Sequence, residues 1–167
     1  KDAMENFING LRKAEKTGDR FAIAKLQHNV GWAYMELNQF DEAIEHFKSA
    51  IQTIENNNLR IKFAPTYNNL ASCYGAVKKY DSLYKFAKIA ITIAHDQNNY
   101  AAEANGWNIL GTAYNAQKKF TEALNCFLKA KPLRDKAGDP FYIVSDLSVL
   151  SELYANMNRP EEGLLAG

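Results

Sequence analysis

The stretch that decides the fold is WNILGTAY at residues 107–114, followed by ALNCFLKA at residues 123–130. Apolar and small residues recur at helical spacing in both segments, which predicts two amphipathic helices. The charged pair Lys118-Lys119 lies between them, as expected for a turn at the surface. The stretch therefore predicts a helix-turn-helix unit.

This unit is one of a series, because equivalent residues return every 40 positions along the chain. Tyrosine occurs at four positions spaced 40 residues apart, and the residues around each tyrosine repeat with the same spacing. The matching series are Tyr34, Tyr74, Tyr114, Tyr154; Val30, Leu70, Leu110, Leu150; Gly10, Ala50, Ala90, Ala130; and Ala3, Ala43, Leu83, Ala123, Gly163. A fixed period of this length is typical of stacked repeats, in which one hairpin alone cannot bury both faces.

Turn-forming residues fix where the helices begin and end. Gly18-Asp19 predicts the end of one helix and the N-cap of the next, and Asp139-Pro140 predicts a second such start. Pro65 and Pro132 fall inside the helical pattern, so we expect a late start or kink near Pro65 and a disturbed helix near Pro132. The predicted array is a half-repeat 1–17, repeats 18–57, 58–97 and 98–137, and a partial repeat 138–167. Half-repeats at both ends predict a fragment of a larger protein.

The third repeat resembles the tetratricopeptide repeat (TPR), with Trp107, Leu110, Gly111 and Tyr114 in the first helix and Ala123, Phe127 and Ala130 in the second. The resemblance implies an all-α fold, a right-handed α–α superhelix of antiparallel helix pairs. The second repeat departs from it, because Ala71 stands in place of the glycine and Leu83 in place of the small residue. The period of 40 exceeds the usual ~34 residues. It resembles the long repeats of kinesin light chains and of bacterial peptide-sensing regulators.

In this family the first helix of each pair faces an inner groove that holds extended peptides. Transferring the groove positions by register gives a candidate peptide-binding set: Lys25, His28, Asn29, Trp32, Met35, Asn68, Asn69, Ser72, Asn105, Asn108, Thr112, Ser145, Ser148 and Glu152. Asparagine amides both donate and accept, so a row of them can pair with an extended backbone. The alternative is that the asparagines only follow the family consensus and that Trp32 packs within the fold.

One sharper family function is excluded by the same register. Binders of chaperone tails clamp a C-terminal carboxylate, and would need Lys at position 28, Asn at 32 and 69, Lys at 105 and Arg at 109. The chain has His28, Trp32, Asn69, Asn105 and Ile109, so one position of five matches. A chaperone co-factor role is not expected.

Composition excludes several other classes. With 20 basic and 19 acidic residues the net charge is +1, which gives no electrostatic case for nucleic acid. No apolar run is long enough to predict a membrane segment. His28, His46 and His95 lack metal-ligand spacing, and no catalytic motif is present, so we expect neither a cofactor nor an enzyme. Cys73 and Cys126 are expected to be buried free thiols.

The sequence therefore predicts a module that binds a protein or a peptide, serving as the sensory or regulatory domain of a larger bacterial protein. Two alternatives stay open: the regulatory domain of a peptide-responsive signalling enzyme, and a purely structural scaffold that associates with itself. Ligand, compartment and oligomeric state are left open by the sequence.

Overall fold

The computed structural model of the chain describes residues 2–57, 59, 63–138 and 149–157, and this part is helical without any strand. Helices alternate with short connections. They are α1 Asp2–Thr17, α2 Arg20–Glu36, α3 Phe40–Asn56, α4 Ala64–Ala76, α5 Tyr80–Asp96, α6 Tyr100–Ala116 and α7 Phe120–Ala137. Residues 149–156 are also helical. The second helices of the three pairs, α3, α5 and α7, begin 40 residues apart, which is the period of the sequence.

Polar side chains cap the first turns of two of these helices, and glycines follow the last turns of two others. The Asp19 side chain accepts a hydrogen bond from the Ala22 amide at 3.0 Å, which confirms it as the N-cap of α2. Asn99 caps α6 in the same way, accepting from the Ala102 amide at 3.1 Å. Gly18 and Gly138 end α1 and α7 in the left-handed conformation, with φ of 71° and 69°.

Turns within and between the pairs share one backbone geometry. Asn38, Lys78, Asn98 and Lys118 all have φ between 53° and 59°. Lysine rarely occupies this region, because its Cβ crowds the following carbonyl, whereas asparagine tolerates it. The left-handed conformation is therefore favourable at the two asparagines, Asn38 and Asn98, and unfavourable at the two lysines, Lys78 and Lys118.

Small residues bring the paired helices close together. A Cβ added to Gly31 would lie 2.9 Å from the ring of Phe47, and one added to Gly111 would lie 2.6 Å from the ring of Phe127. Both rings are buried. The glycines thus provide the space that the aromatic rings fill, as the sequence predicts.

Equivalent tyrosines lie in equivalent surroundings. Tyr34 stacks on His46 with ring centroids 5.2 Å apart, and Tyr74 stacks on Phe86 at 5.5 Å. Residues 46 and 86 are one period apart, as are the two tyrosines. The repetition seen in the sequence is therefore a repetition of contacts between the two helices of a pair.

The two interior prolines behave differently. Pro65 lies in the first turn of α4, which begins only at Ala64, so the predicted late start is confirmed. The disturbed helix expected at Pro132 is wrong, because α7 runs through it from Phe120 to Ala137. Leu128, whose carbonyl loses its partner, and Pro132 are both exposed, so water can bond to the freed carbonyl.

The chain divides into two compact units, Lys1–Phe86 and Ala87–Gly167, each with its own buried core. In the second unit Phe127 packs with Leu150, Leu153 and Tyr154, and so fills the gap between α7 and the following helix. Cys73 and Cys126 are buried free thiols, as predicted. The predictions at Asp139, Pro140, Ser145, Ser148 and Gly163 lie outside the described residues.

Candidate peptide-binding face

One side of α2 carries the most exposed part of the candidate site. Phe21, Lys25, His28 and Trp32 follow one another at intervals of four, three and four residues, which places them on one face of the helix. Phe21 is 40% exposed and Trp32 45% exposed, and Lys25 is also exposed. We call these four residues the α2 stripe. It offers two aromatic surfaces with a cation between them.

Helix α4 lies beside α2 and supports this stripe. His28 Nδ1 is 2.9 Å from Thr66 Oγ1, and the rings of Phe21 and Phe63 are 6.0 Å apart. Phe63 is the N-cap of α4 and Phe21 lies in the first turn of α2, so the two first helices are aligned at this end. Phe21 and His28 of the stripe therefore each have a contact with the α4 segment.

The imidazole of His28 sits between this face and the core. Its ring centroid is 5.6 Å from that of Phe47, and burial lowers the pKa of His28 below its usual value. Among the described residues of α3 and α4, no carboxylate is placed against the ring. His28 is therefore held neutral in a mostly apolar setting near neutral pH.

The predicted positions on α4 differ from one another in exposure. Asn69 and Ser72 are half-buried and can reach a ligand by their outer atoms. Asn68 is only 1% exposed, so its side chain lies beneath the surface of the folded chain. Of these three α4 positions, only Asn69 and Ser72 therefore have surface accessible from outside the fold.

In the second unit the candidate residues lie on α6. Asn105 and Asn108 are half-buried, and Thr112 is exposed. On another side of α6, the Lys129 ammonium lies 4.3 Å from the centroid of the Trp107 ring, a cation–π contact between α6 and α7. Trp107 thus packs within its helix pair, whereas Trp32 has much of its ring in solvent.

The structure groups the candidate set by unit. Lys25, His28, Asn29, Trp32 and Met35 lie on α2, next to the α4 positions in the first unit, and the α6 positions lie in the second. Asn29 and Met35 are half-buried, and Glu152, in the helix at 149–156, is exposed. Each unit therefore presents its own part of the predicted face.

Sequence reasoning missed three residues of this face: Phe21, Phe63 and Thr66. Phe21 could have been found, because it lies four residues before Lys25 on the helical stripe. Thr66, fully buried against His28, gives no sequence signal of that role. No group of metal-binding side chains occurs among the described residues, and no described helix is long and apolar enough to cross a membrane.

Helical hairpins that recur at a fixed interval, with small residues at the crossing and rings in the gaps, define an α-helical repeat protein. Residues 24–57 and 104–133 each match the family model of the tetratricopeptide repeat. These segments are tetratricopeptide repeats, and the resemblance to this family found from the sequence is confirmed. Such repeats form protein-interaction or scaffold modules, typically without catalysis.

Solved structures show the same fold. BtubC (BKLC) from P. vanneervenii superposes with a TM-score of 0.86 at 18% identity, covering 96% of this chain and 67% of that one. A protein from Podosopora anserina, described as a kinesin light chain with nearly identical TPR-like repeats, gives 0.74 at 16% identity, covering 99% and 82%.

MamA gives a TM-score of 0.64 at 14% identity, covering 99% of this chain and 88% of that one. No curated protein sequence matches the chain significantly. These likenesses confirm the all-α TPR fold. The specific resemblance to the repeats of bacterial regulators stays a prediction.

Proposed function

We propose that this chain binds segments of other proteins on its first helices, on α2 and α4 in the first unit and on α6 in the second. The observation that carries the proposal is the α2 stripe, where two aromatic side chains remain exposed although the chain has buried cores available for them. Exposed aromatic surface is typical of binding sites, because an aromatic ring supplies a large contact area with few rotatable bonds to order.

Amide side chains supply the polar part of the proposed site. Asn29, Asn69, Asn105 and Asn108 are half-buried on the first helices, so each has part of its side chain at the surface and part held by the fold. Each hydrogen bond to a ligand backbone adds only ~0.5–1.5 kcal/mol. Several such bonds are therefore needed together.

We also propose that binding serves regulation in a larger bacterial protein. The support is the 40-residue period, which resembles the repeats of peptide-sensing regulators. A pull-down from a bacterial lysate that recovers only chaperones or nothing reproducible would count against this part, and leave peptide binding itself to the next experiment.

A peptide library displayed on phage tests the binding proposal. Selection is done against the wild-type chain and against the double variant Asn69→Ala/Asn105→Ala. We expect a selected peptide to bind the double variant about fivefold more weakly, which corresponds to about 1 kcal/mol for one hydrogen bond lost in whichever unit the peptide occupies.

The matched control is Asn6→Ala/Asn125→Ala, which removes two exposed amides from α1 and α7. It should bind like the wild type. If both double variants bind equally well, the amides of the first helices take no part, and if no peptide is enriched at all, the proposal of a peptide-binding face is wrong.

A further inference from the structure

The two aromatic anchors of the α2 stripe are separated by a distance that restricts what can contact both. Phe21 and Trp32 are eleven residues apart on one helix, which is about 16 Å along the axis. Eleven residues are close to three full turns, so the two rings point to the same side. A partner must therefore present two apolar side chains on one face at that spacing.

This spacing distinguishes a helical partner from an extended one. Side chains on the same face of a strand are separated by multiples of about 6.7 Å, which gives about 13 or 20 Å but not 16 Å. A second helix laid along α2 has the same rise and the same period, so its own side chains eleven residues apart fall directly on the two anchors. The geometry of the stripe suits a helix.

Charge adds a second restriction. Between Phe21 and Trp32, Lys25 is the only residue of α2 with a permanent charge, and it is exposed on the stripe. The described part of α4 carries no Asp, Glu, Lys or Arg. A partner helix that covers the two rings of α2 therefore meets the Lys25 ammonium between them, which a carboxylate one helical turn from the apolar residue can neutralise.

The exposed hydrophobic residues of the described chain support the same choice. Four large apolar side chains are strongly exposed in that part, namely Phe21, Trp32, Leu37 and Leu128. Leu37 lies in a turn and Leu128 on the outer side of α7, so each is isolated. Only on α2 do two of them share a face.

We infer that the α2 stripe docks an amphipathic helix of a partner protein, with two apolar side chains eleven residues apart and a carboxylate between them. This inference rests on the proposed function for the location of the face, but it assigns a helical conformation to the segment that covers α2. Extended peptide then belongs to the amide positions of α4 and α6.

A designed peptide tests the inference directly. The probe is an alanine- and glutamine-based helix of about eighteen residues, with two leucines eleven residues apart and glutamates four and seven residues after the first leucine. One of the two glutamates faces Lys25 whichever way the helix runs, and the other then faces His28. Isothermal titration should detect binding to the wild-type chain, and Trp32→Ala should weaken it at least tenfold.

Three controls separate the stripe from general stickiness. Leu128→Ala removes an equally exposed apolar side chain elsewhere and should leave affinity unchanged. A peptide with proline in its centre cannot form the helix and should not bind. Lys25→Glu should weaken the glutamate peptide, and a peptide with lysines in place of the glutamates should recover binding to that variant.

The designed peptide tests the helical partner, and the library peptides test the proposed function, so either proposal can fail without the other. Equal binding by wild type and Trp32→Ala, equal binding by the proline peptide, or no binding at about 1 mM peptide overturns the helical partner. If library peptides still depend on Asn69 and Asn105 in that case, the peptide-binding proposal stands alone. Trp32 and Lys25 are exposed, so circular dichroism is expected to show unchanged folding in both variants.

Discussion

The second repeat packs its two helices differently from the first and third. In the first, Gly31 of α2 receives the ring of Phe47 from α3, and Gly111 and Phe127 do the same between α6 and α7. In the second, Gly75 receives Leu83, whose Cδ1 would lie 2.8 Å from an added Cβ. Equivalence by 40 residues would have paired positions 71 and 87, which are both alanine.

The contact between large and small residues has therefore moved by one helical turn toward the hairpin turn. On the first helix the glycine shifts four residues forward, and on the second the large side chain shifts four residues back. These shifts match, because paired helices run in opposite directions and a step along one faces a step back along the other. Two departures from the family pattern thus compensate each other within one hairpin.

Removing the large side chain should have the largest effect. Phe47→Ala deletes a fully buried ring and should lower the free energy of unfolding by about 3–5 kcal/mol, because the rigid pair leaves a cavity at Gly31. Denaturation in urea, followed by circular dichroism, measures it. Leu128→Ala, on the exposed side of α7, is the control and should change stability by less than about 1 kcal/mol.

Replacing the glycine by alanine should distinguish a helix pair in which the glycine faces an aromatic ring from one in which it faces a leucine. Gly111→Ala places a Cβ 2.6 Å from a rigid, buried ring, and should destabilise by about 1–3 kcal/mol. Gly75→Ala meets only the end of a flexible leucine, and the better helix propensity of alanine offsets the crowding, so its change should stay within about 0.5 kcal/mol. Equal losses in both variants would show that the crossings do not differ.

Acidification should weaken the first repeat through its buried histidine. Burial lowers the pKa of His28, so below the ordinary value of 6.5 the unfolded chain binds a proton that the folded chain does not. Stability must then fall as the pH drops through this range. The denaturation midpoint should decrease from pH 7.5 to pH 5.5, and the decrease should be smaller in His28→Gln.

The denaturation midpoint of His46→Gln should be followed over the same pH range. Burial also lowers the pKa of His46, although the charge of Glu45 opposes that shift. An unaltered pH profile in His28→Gln would mean that protonation of this ring is not coupled to folding.

The smallest effect is expected in the turns. Lys118→Asn should stabilise by about 0.5–1 kcal/mol, because asparagine tolerates the left-handed conformation that Lys118 adopts with φ of 59°. Asn38→Lys should destabilise by a similar amount. Thermal unfolding of both variants measures the difference, and changes of the same sign would contradict the explanation.

Local patterns were sufficient to predict most of the fold. Periodicity located the helix pairs, and the capping roles of Asp19 and Gly18 followed from side-chain chemistry alone. The contact between Gly75 and Leu83 could be predicted only in part. The sequence shows that Ala71 and Leu83 depart from the family pattern, but it does not show which residues touch across the helix pair. The continuity of α7 at Pro132 depended on solvent access to one carbonyl, which periodicity does not report.

The site was less predictable for a related reason. Register identified which residues lie on the first helices, but exposure depends on the neighbouring helix. Asn68 and Asn69 are adjacent in sequence, yet the structure buries one and leaves the other half-exposed. The partner of His28, Thr66, comes from a different repeat, so only tertiary packing brings it within reach.

In the second repeat the contact between the glycine and the large side chain lies one helical turn away from its place in the other repeats. This difference limits how recombination can rearrange the repeats. A crossover inside a hairpin turn would join α4 to a second helix of the α3 type, placing Ala71 against a phenylalanine and Gly75 against an alanine. That chimera would contain a clash and a void in one pair, whereas a crossover between pairs would keep each crossing intact. Duplication or loss of whole hairpins is therefore the route by which such a chain can lengthen or shorten without refitting its interior.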